Sequence, residues 1–132
     1  MKIEIPITEV QELLSNYYNI NVGLKNIGED KIEANKYLVS LILTIKEVRK
    51  DEVIFQYKVN GFVDLLAKGA HFLLRKKIDD TPIEWDSKTS EVVVDLKKVQ
   101  ALSDFLKVFF ISELSFVNEN IAMVLNIKSI TE

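Results

Sequence analysis

Apolar side chains recur along this chain at two periods, and the switches between the periods mark its elements. Ile3, Ile5 and Ile7 alternate with polar residues as far as Pro6, which suits a short edge strand because proline donates nothing to a ladder. Val10, Leu13, Leu14 and Tyr17 follow at i, i+3, i+4 and i+7, so the spacing predicts an amphipathic helix over about 8 to 18. Thr8 and Gln11 stand three apart, as the two partners of a capping box do. Ile20, Val22 and Leu24 alternate again as a strand, and Gly28, Glu29 and Asp30 turn the chain.

The longest strand signal comes next. Tyr37, Val39, Leu41, Leu43 and Ile45 place their apolar side chains on one face, and Val53, Phe55, Tyr57 and Val59 do so in a returning strand. A two-residue turn at Lys50 and Asp51 would set Phe55 beside Lys46. A three-residue turn over Arg49, Lys50 and Asp51, with Asp51 left-handed, pairs Ile45 with Phe55 and Leu43 with Tyr57 instead, and is preferred. Before this strand the apolar phase is even, at Ile32 and Ala34, so a bulge near Asn35 to Tyr37 is expected to flip the faces and bend the sheet.

From Gly61 to Lys77 the period changes. At about 100° per residue, Asp64, Lys68, His71 and Arg75 fall within an arc of ~60°, and nearly all the rest of the circumference is apolar. Such a helix needs cover on most sides. A strand over 37–48 would span ~40 Å at ~3.3 Å per residue, while a domain of this length has a diameter near ~36 Å, so the strand is expected to coil. The expected fold is therefore α+β, a long and strongly curved antiparallel sheet wrapped around a central apolar helix, with two shorter amphipathic helices. Phe62, Leu65, Leu66 and Leu73 form part of a bulky flank assigned to the sheet; Val63, Ala67, Ala70 and Leu74 form a flatter one that another backbone can approach.

Beyond that helix Asp79, Asp80, Glu84 and Asp86 make an acidic loop around Pro82 and Trp85, the natural linker between two halves. Val92, Val94 and Leu96 predict a strand, and Val99, Leu102, Phe105, Leu106 and Phe109 a helix. Strands over 111–117 and 121–127 are expected to join through a three-residue turn ending in a left-handed Asn120, pairing Val117 with Ile121 and Phe116 with Ala122. Shifted by 89 positions, Ile3, Ile5, Ile7, Val10 and Gln11 fall on Val92, Val94, Leu96, Val99 and Gln100. One domain over 1–132 is expected, with two pseudo-repeats at about 1–60 and 90–132 around the helix 61–77.

Composition narrows the function. The 132 residues carry a net charge of −3 with Lys and Arg scattered, so no basic footprint for nucleic acid is visible. There are no cysteines for disulfides or thiolate metal sites. MKIEIPITEV has no long apolar run, hence no signal peptide or membrane span, and a cytoplasmic location is expected. A 48% apolar content beside 28% charge points to more than one buried surface.

Chemistry is sparse. His71, the only histidine, has Ala67, Lys68, Leu74 and Arg75 at three and four residues and no carboxylate to orient it. The acidic run 79–86 lacks the alternating ligands and central glycine of a calcium loop. Four glycines leave no phosphate-cradling loop and no nucleophile elbow. No catalytic constellation, metal site or cofactor is expected.

Binding remains. A curved sheet around an apolar helix can enclose a lipid-like ligand in a slot lined by Phe55, Tyr57, Phe62, Leu65, Leu66 and Leu73. A helix ending in Arg75, Lys76 and Lys77 also suits a membrane surface. In its order of elements the chain resembles the tubular lipid-binding superfamily and its small bacterial members. The opening ITEVQELLSNYY helix, the strands from Tyr37 to Val59, the helix from Phe62 to Lys77 and the closing ELSFVNENIAMVLNI hairpin carry the likeness. The resemblance implies an elongated coiled sheet with an apolar groove and no catalysis. The alternative is a homodimeric interaction module without ligand, closing on the flank Val63, Ala67, Ala70 and Leu74 or on a bare sheet face.

Overall fold

The computed structural model describes residues 1–36, 39–60, 82–86 and 88–128. Nine strands and one α-helix follow in the order β1 (Lys2–Pro6), α1 (Ile7–Tyr18), β2 (Gly23–Asn26), β3 (Lys31–Lys36), β4 (Val39–Val48), β5 (Glu52–Asn60), β6 (Ile83–Asp86), β7 (Glu91–Asp95), β8 (Phe109–Val117) and β9 (Asn120–Ile127) among those residues. They form two antiparallel sheets, one ordered β1-β9-β8 and the other β2-β3-β4-β5-β7-β6.

This corrects the expected architecture. The helix expected over 61–77 lies outside the described residues; among the described residues strand outweighs helix by 57% to 20%, and the second amphipathic helix is not formed. The apolar faces of the two sheets cover each other. Phe116 of the small sheet and Ile7 share one buried cluster with Ile32, Val53, Phe55 and Val92 of the large sheet, and Ile111, Met123 and Leu125 form a second with Ile3, Ile5, Val48 and Leu96 packed on it. A sheet with one apolar face must bury it, and a second sheet does so as well as a helix.

The parity switch between Ile32 and Leu41 is a reversal of the chain rather than a bulge. Lys36 pairs with Val39, Ala34 with Leu41 and Ile32 with Leu43, so β3 and β4 are neighbours joined by residues 37 and 38 alone. A two-residue connection pairs even positions with odd ones, so keeping one face apolar requires the phase to flip. The uninterrupted strand over 37–48 thus becomes the ten-residue β4.

In the β4–β5 hairpin the expected pairs form by a different route. Ile45 faces Phe55 and Leu43 faces Tyr57, but nearer the tip Glu47 faces Ile54 and Val48 faces Val53. The N–H of Arg49 donates to the Glu52 carbonyl at 2.8 Å, the register of the two-residue turn at Lys50 and Asp51. A bulge at Lys46 absorbs one residue and restores the register beyond it. Asp51 is not among the left-handed residues.

The closing hairpin also turns in two residues rather than three. Asn118 and Glu119 have φ of 51° and 64°, the positive values that a type I′ turn demands at both central positions. Val117 therefore pairs with Asn120 and Phe116 with Ile121, one residue from the expected register. A bulge at Ser112 shifts it once more.

α1 begins at Ile7 without the expected capping box, and Thr8 caps nothing. The Ile7 N–H, one of the donors a helix start leaves unpaired, goes instead to the Glu119 carbonyl at 2.9 Å. The helix ends at a left-handed Asn19, and the Ile20 N–H closes back on the Leu14 carbonyl at 2.9 Å. Ile20 is buried but precedes the strand, since β2 starts only at Gly23.

The helix expected from Leu96 to Phe109 is broken into three 3₁₀ turns, Leu96–Lys98, Gln100–Leu102 and Phe105–Lys107. Asp95 accepts from the Lys97 N–H at 3.1 Å, and Val99, buried and extended, interrupts the coil. A β-branched residue and a local side-chain acceptor, Asp95, favour turns over a continuous helix. Part of the supposed acidic linker is strand. Residues 83–86 pair with β7, Ile83 against Val94 and Glu84 against Val93, while Asp79 and Asp80 lie outside the described residues.

Under the 89-residue shift the bounds of two elements coincide, while β2 and β3 fall within β8 and β9. β1 falls on β7, and α1 falls on the run of 3₁₀ turns from Leu96 to Lys107. Matching backbone bonds accompany them. Ile7 N–H to Glu119 carbonyl corresponds to Leu96 N–H to Asp51 carbonyl, both 2.9 Å, and Leu125 N–H to Met1 carbonyl at 2.7 Å corresponds to Tyr57 N–H to Ser90 carbonyl at 2.9 Å. Each unit is a hairpin with a third strand on its second arm: β8–β9 with β1, and β4–β5 with β7. The units interlace, because β1 pairs with the far end of the chain.

Candidate functional site

The sequence-derived site residues divide sharply. Phe62, Leu65, Leu66 and Leu73 of the expected groove, and Val63, Ala67, Ala70 and Leu74 of the expected interface, lie outside the described residues, as does His71. Phe55 and Tyr57 are described. Phe55 is buried in the cluster between the sheets and Tyr57 packs against the same cluster.

Polar chemistry is local. Glu91 accepts from the Lys46 ammonium at the bulge and from the Thr89 hydroxyl, and the Lys46 contact holds its carboxyl below the usual range. Asp86 accepts the N–H groups of Lys88 at 2.9 Å and Thr89 at 3.3 Å, which lowers its pKa in turn. Among the described residues no group of three or more His, Cys, Asp or Glu side chains could hold a metal ion, and no helix is long and apolar enough to cross a membrane. Gln11, Glu12, Ser15 and Asn16 of α1, with Asn21 and Val22, line a shallow groove of about 330 Å³ open to solvent, across which the Ser15 hydroxyl donates to Asn21 Oδ1 at 2.6 Å.

The sheet edges differ more than the side chains do. On β8, the outward N–H groups of Ile111 and Phe116 are taken by the carbonyls of Lys50 at 3.0 Å and Glu29 at 2.8 Å, from loops of the other sheet. On β2, the Leu24 N–H donates to Gln11 Oε1 at 2.5 Å. The glutamine expected in a capping box thus covers a strand edge.

β1 is different. Met1 and Leu125 exchange both backbone bonds, at 2.7 and 2.9 Å, so the antiparallel alternation also points Ile3 and Ile5 at β9 and turns the N–H and C=O groups of Lys2 and Glu4 outward. Lys2, Glu4 and Pro6 are exposed, Ile3 and Ile5 half-buried, and no strand among the described residues pairs on that side. Alternation and Pro6 mark β1 as an edge strand in the sequence; which of its residues face outward depends on its pairing with β9, across nearly the whole chain, and no local pattern carries that.

No family model matches the chain, and no curated protein or solved structure matches it.

Proposed function

We propose that this chain is a non-catalytic protein-interaction domain whose working surface is the outer edge of β1, where an extended strand from a partner is added to the small sheet. What supports the reading is the contrast between edges: on β8 the Ile111 and Phe116 amides and on β2 the Leu24 amide are closed by the fold itself, while Lys2 and Glu4 present theirs on an exposed strand. Strand addition draws its affinity from main-chain hydrogen bonds and needs such an edge. Of the residues expected to line an apolar slot, Phe55 belongs to the cluster between the sheets and Tyr57 packs against it.

Because main-chain bonds dominate, a generic strand suffices as a probe. Added at millimolar concentration, a soluble alternating peptide such as Thr-Val-Lys-Val-Thr is expected to slow hydrogen exchange at the Lys2 and Glu4 amides, leaving the Leu24 amide as it was. Unchanged exchange at both β1 amides overturns the proposal.

A further inference from the structure

The internal correspondence shows what the edge of β1 is built to accept. In the matching unit, β7 carries β5 on one side and β6 on the other, and the Asp95 N–H donates to the Pro82 carbonyl at 2.7 Å. By alternation Glu91, Val93 and Asp95 are the residues of β7 that hold β6. Shifted back by 89 positions they are Lys2, Glu4 and Pro6, the outward residues of β1. The same three-stranded unit therefore bears a fourth strand once within the molecule, and its second instance presents the equivalent edge exposed.

The strand that fits there is β1 itself. We infer that two copies of the chain associate through β1, antiparallel about a two-fold axis, with Lys2 facing the partner's Glu4. This rests on the strand-addition reading above and names its occupant.

Register decides the matter. Only residues whose N–H and C=O groups point outward can form the bonded pairs, so a two-fold ladder is centred on one of residues 2 to 6; centring on Ile5 or Pro6 puts Pro6, which has no N–H, into the bonded pairs and leaves Lys2, Ile3 or Glu4 as the centre. Centring on Lys2 sets it against the partner's Lys2. Centring on Glu4 sets carboxylate against carboxylate and places Pro6, which has no N–H, opposite the partner's Lys2. Centring on Ile3 pairs Lys2 with the partner's Glu4 twice over, gives four N–H···O bonds, and sets Pro6 against neither charge.

Opposite charges directly across strands stabilise and like charges oppose pairing. Charges and proline on an edge strand ordinarily blunt it; here the same residues reject two registers and select the third. On the apolar face that register sets Ile3 beside the partner's Ile3 and half-buried Ile5 beside the partner's Met1, covering a methionine that is 59% exposed in the single chain.

A five-residue ladder is a small interface, so the dimer should be weak, with a dissociation constant of about 10 µM to 1 mM. Sedimentation equilibrium from about 5 µM to 1 mM tests it. The wild-type mass is expected to rise from 15.2 kDa toward twice that value. Lys2→Glu alone and Glu4→Lys alone make every facing pair like-charged and should each weaken association by at least ~10-fold. Mixing the two variants, or combining both changes in one chain, makes every facing pair opposite again and should restore it. Both residues are exposed, so the variants should keep the wild-type circular dichroism spectrum.

A mass of 15.2 kDa at every concentration, or a dimer indifferent to both reversals, overturns the inference. If the probe peptide still protects Lys2 and Glu4 while no dimer forms, the second copy is the wrong occupant and the strand-addition reading stands. If neither is seen, both fall.

Discussion

The Ile7 N–H donates to the Glu119 carbonyl at 2.9 Å, fastening the first residue of α1 to the tip of the β8–β9 hairpin. Ile7 is also the most deeply buried large side chain described, at 1% exposure. The bond thus fixes the point where the start of the chain leaves the small sheet and enters the core between the sheets. It depends on a turn that holds a glutamate at φ 64°.

A side chain in the left-handed region is strained, and glycine is not. Glu119→Gly gives the Asn-Gly pair that two-residue hairpins favour and keeps the carbonyl Ile7 uses. The variant should be more stable by about 1 kcal/mol, raising the melting temperature by ~3–5 °C, as read from thermal unfolding.

Much of the large sheet was legible in the sequence, because parity is conserved through pairing. The Ile45–Phe55 and Leu43–Tyr57 pairs are correct although the turn chosen to make them is not, since the bulge at Lys46 compensates for the shorter tip. A phase flip has two causes, bulge and reversal, and local pattern does not separate them; Lys36 against Val39 does. At 96–107 helical spacing is present, but Val99 and the Asp95 cap divert the backbone into turns. β1 was legible as an edge strand, yet its pairing with β9 spans the whole chain, so the outward pair Lys2 and Glu4 could not be singled out from sequence.

Gln11 illustrates a side chain recruited by tertiary context. Its Oε1 accepts from the partly buried Leu24 N–H at 2.5 Å, closing one outward donor of β2. Gln11→Ala leaves that N–H without its acceptor and should cost about 1 kcal/mol in chemical denaturation. The Leu24 amide should exchange faster in the variant, with amides of β9 unaffected.

Asp86 gives the fold a pH dependence of known sign. Two backbone N–H groups, from Lys88 and Thr89, favour its charged form, so its folded pKa lies below the ordinary 3.8. Stability from this turn is present in full above that ordinary value and is lost as pH falls through the lowered one. Wild type should exceed Asp86→Ala in melting temperature by a constant margin from pH 7 to about pH 5, and the margin should shrink on further acidification. Glu91, held by Lys46, acts in the same direction, so combining Lys46→Ala with Asp86→Ala should flatten the acid limb further.

Phe55 separates a structural core from a ligand groove by the quantity that changes. It lies 9% exposed among Ile7, Ile32, Val53, Val92 and Phe116, side chains from both sheets and from the start of α1. Removing a buried phenyl ring loses its transfer free energy and leaves a cavity that two sheets cannot fully close. Phe55→Ala should therefore lower unfolding free energy by about 3–5 kcal/mol, against less than ~0.5 kcal/mol for Tyr17→Ala on the exposed side of α1. A residue lining a groove would behave otherwise: its truncation would leave the denaturation midpoint near that of wild type and reduce an apolar mass carried through native mass spectrometry. Urea titrations of both variants, with native spectra of the wild type, distinguish the two, and the packing around Phe55 predicts the first.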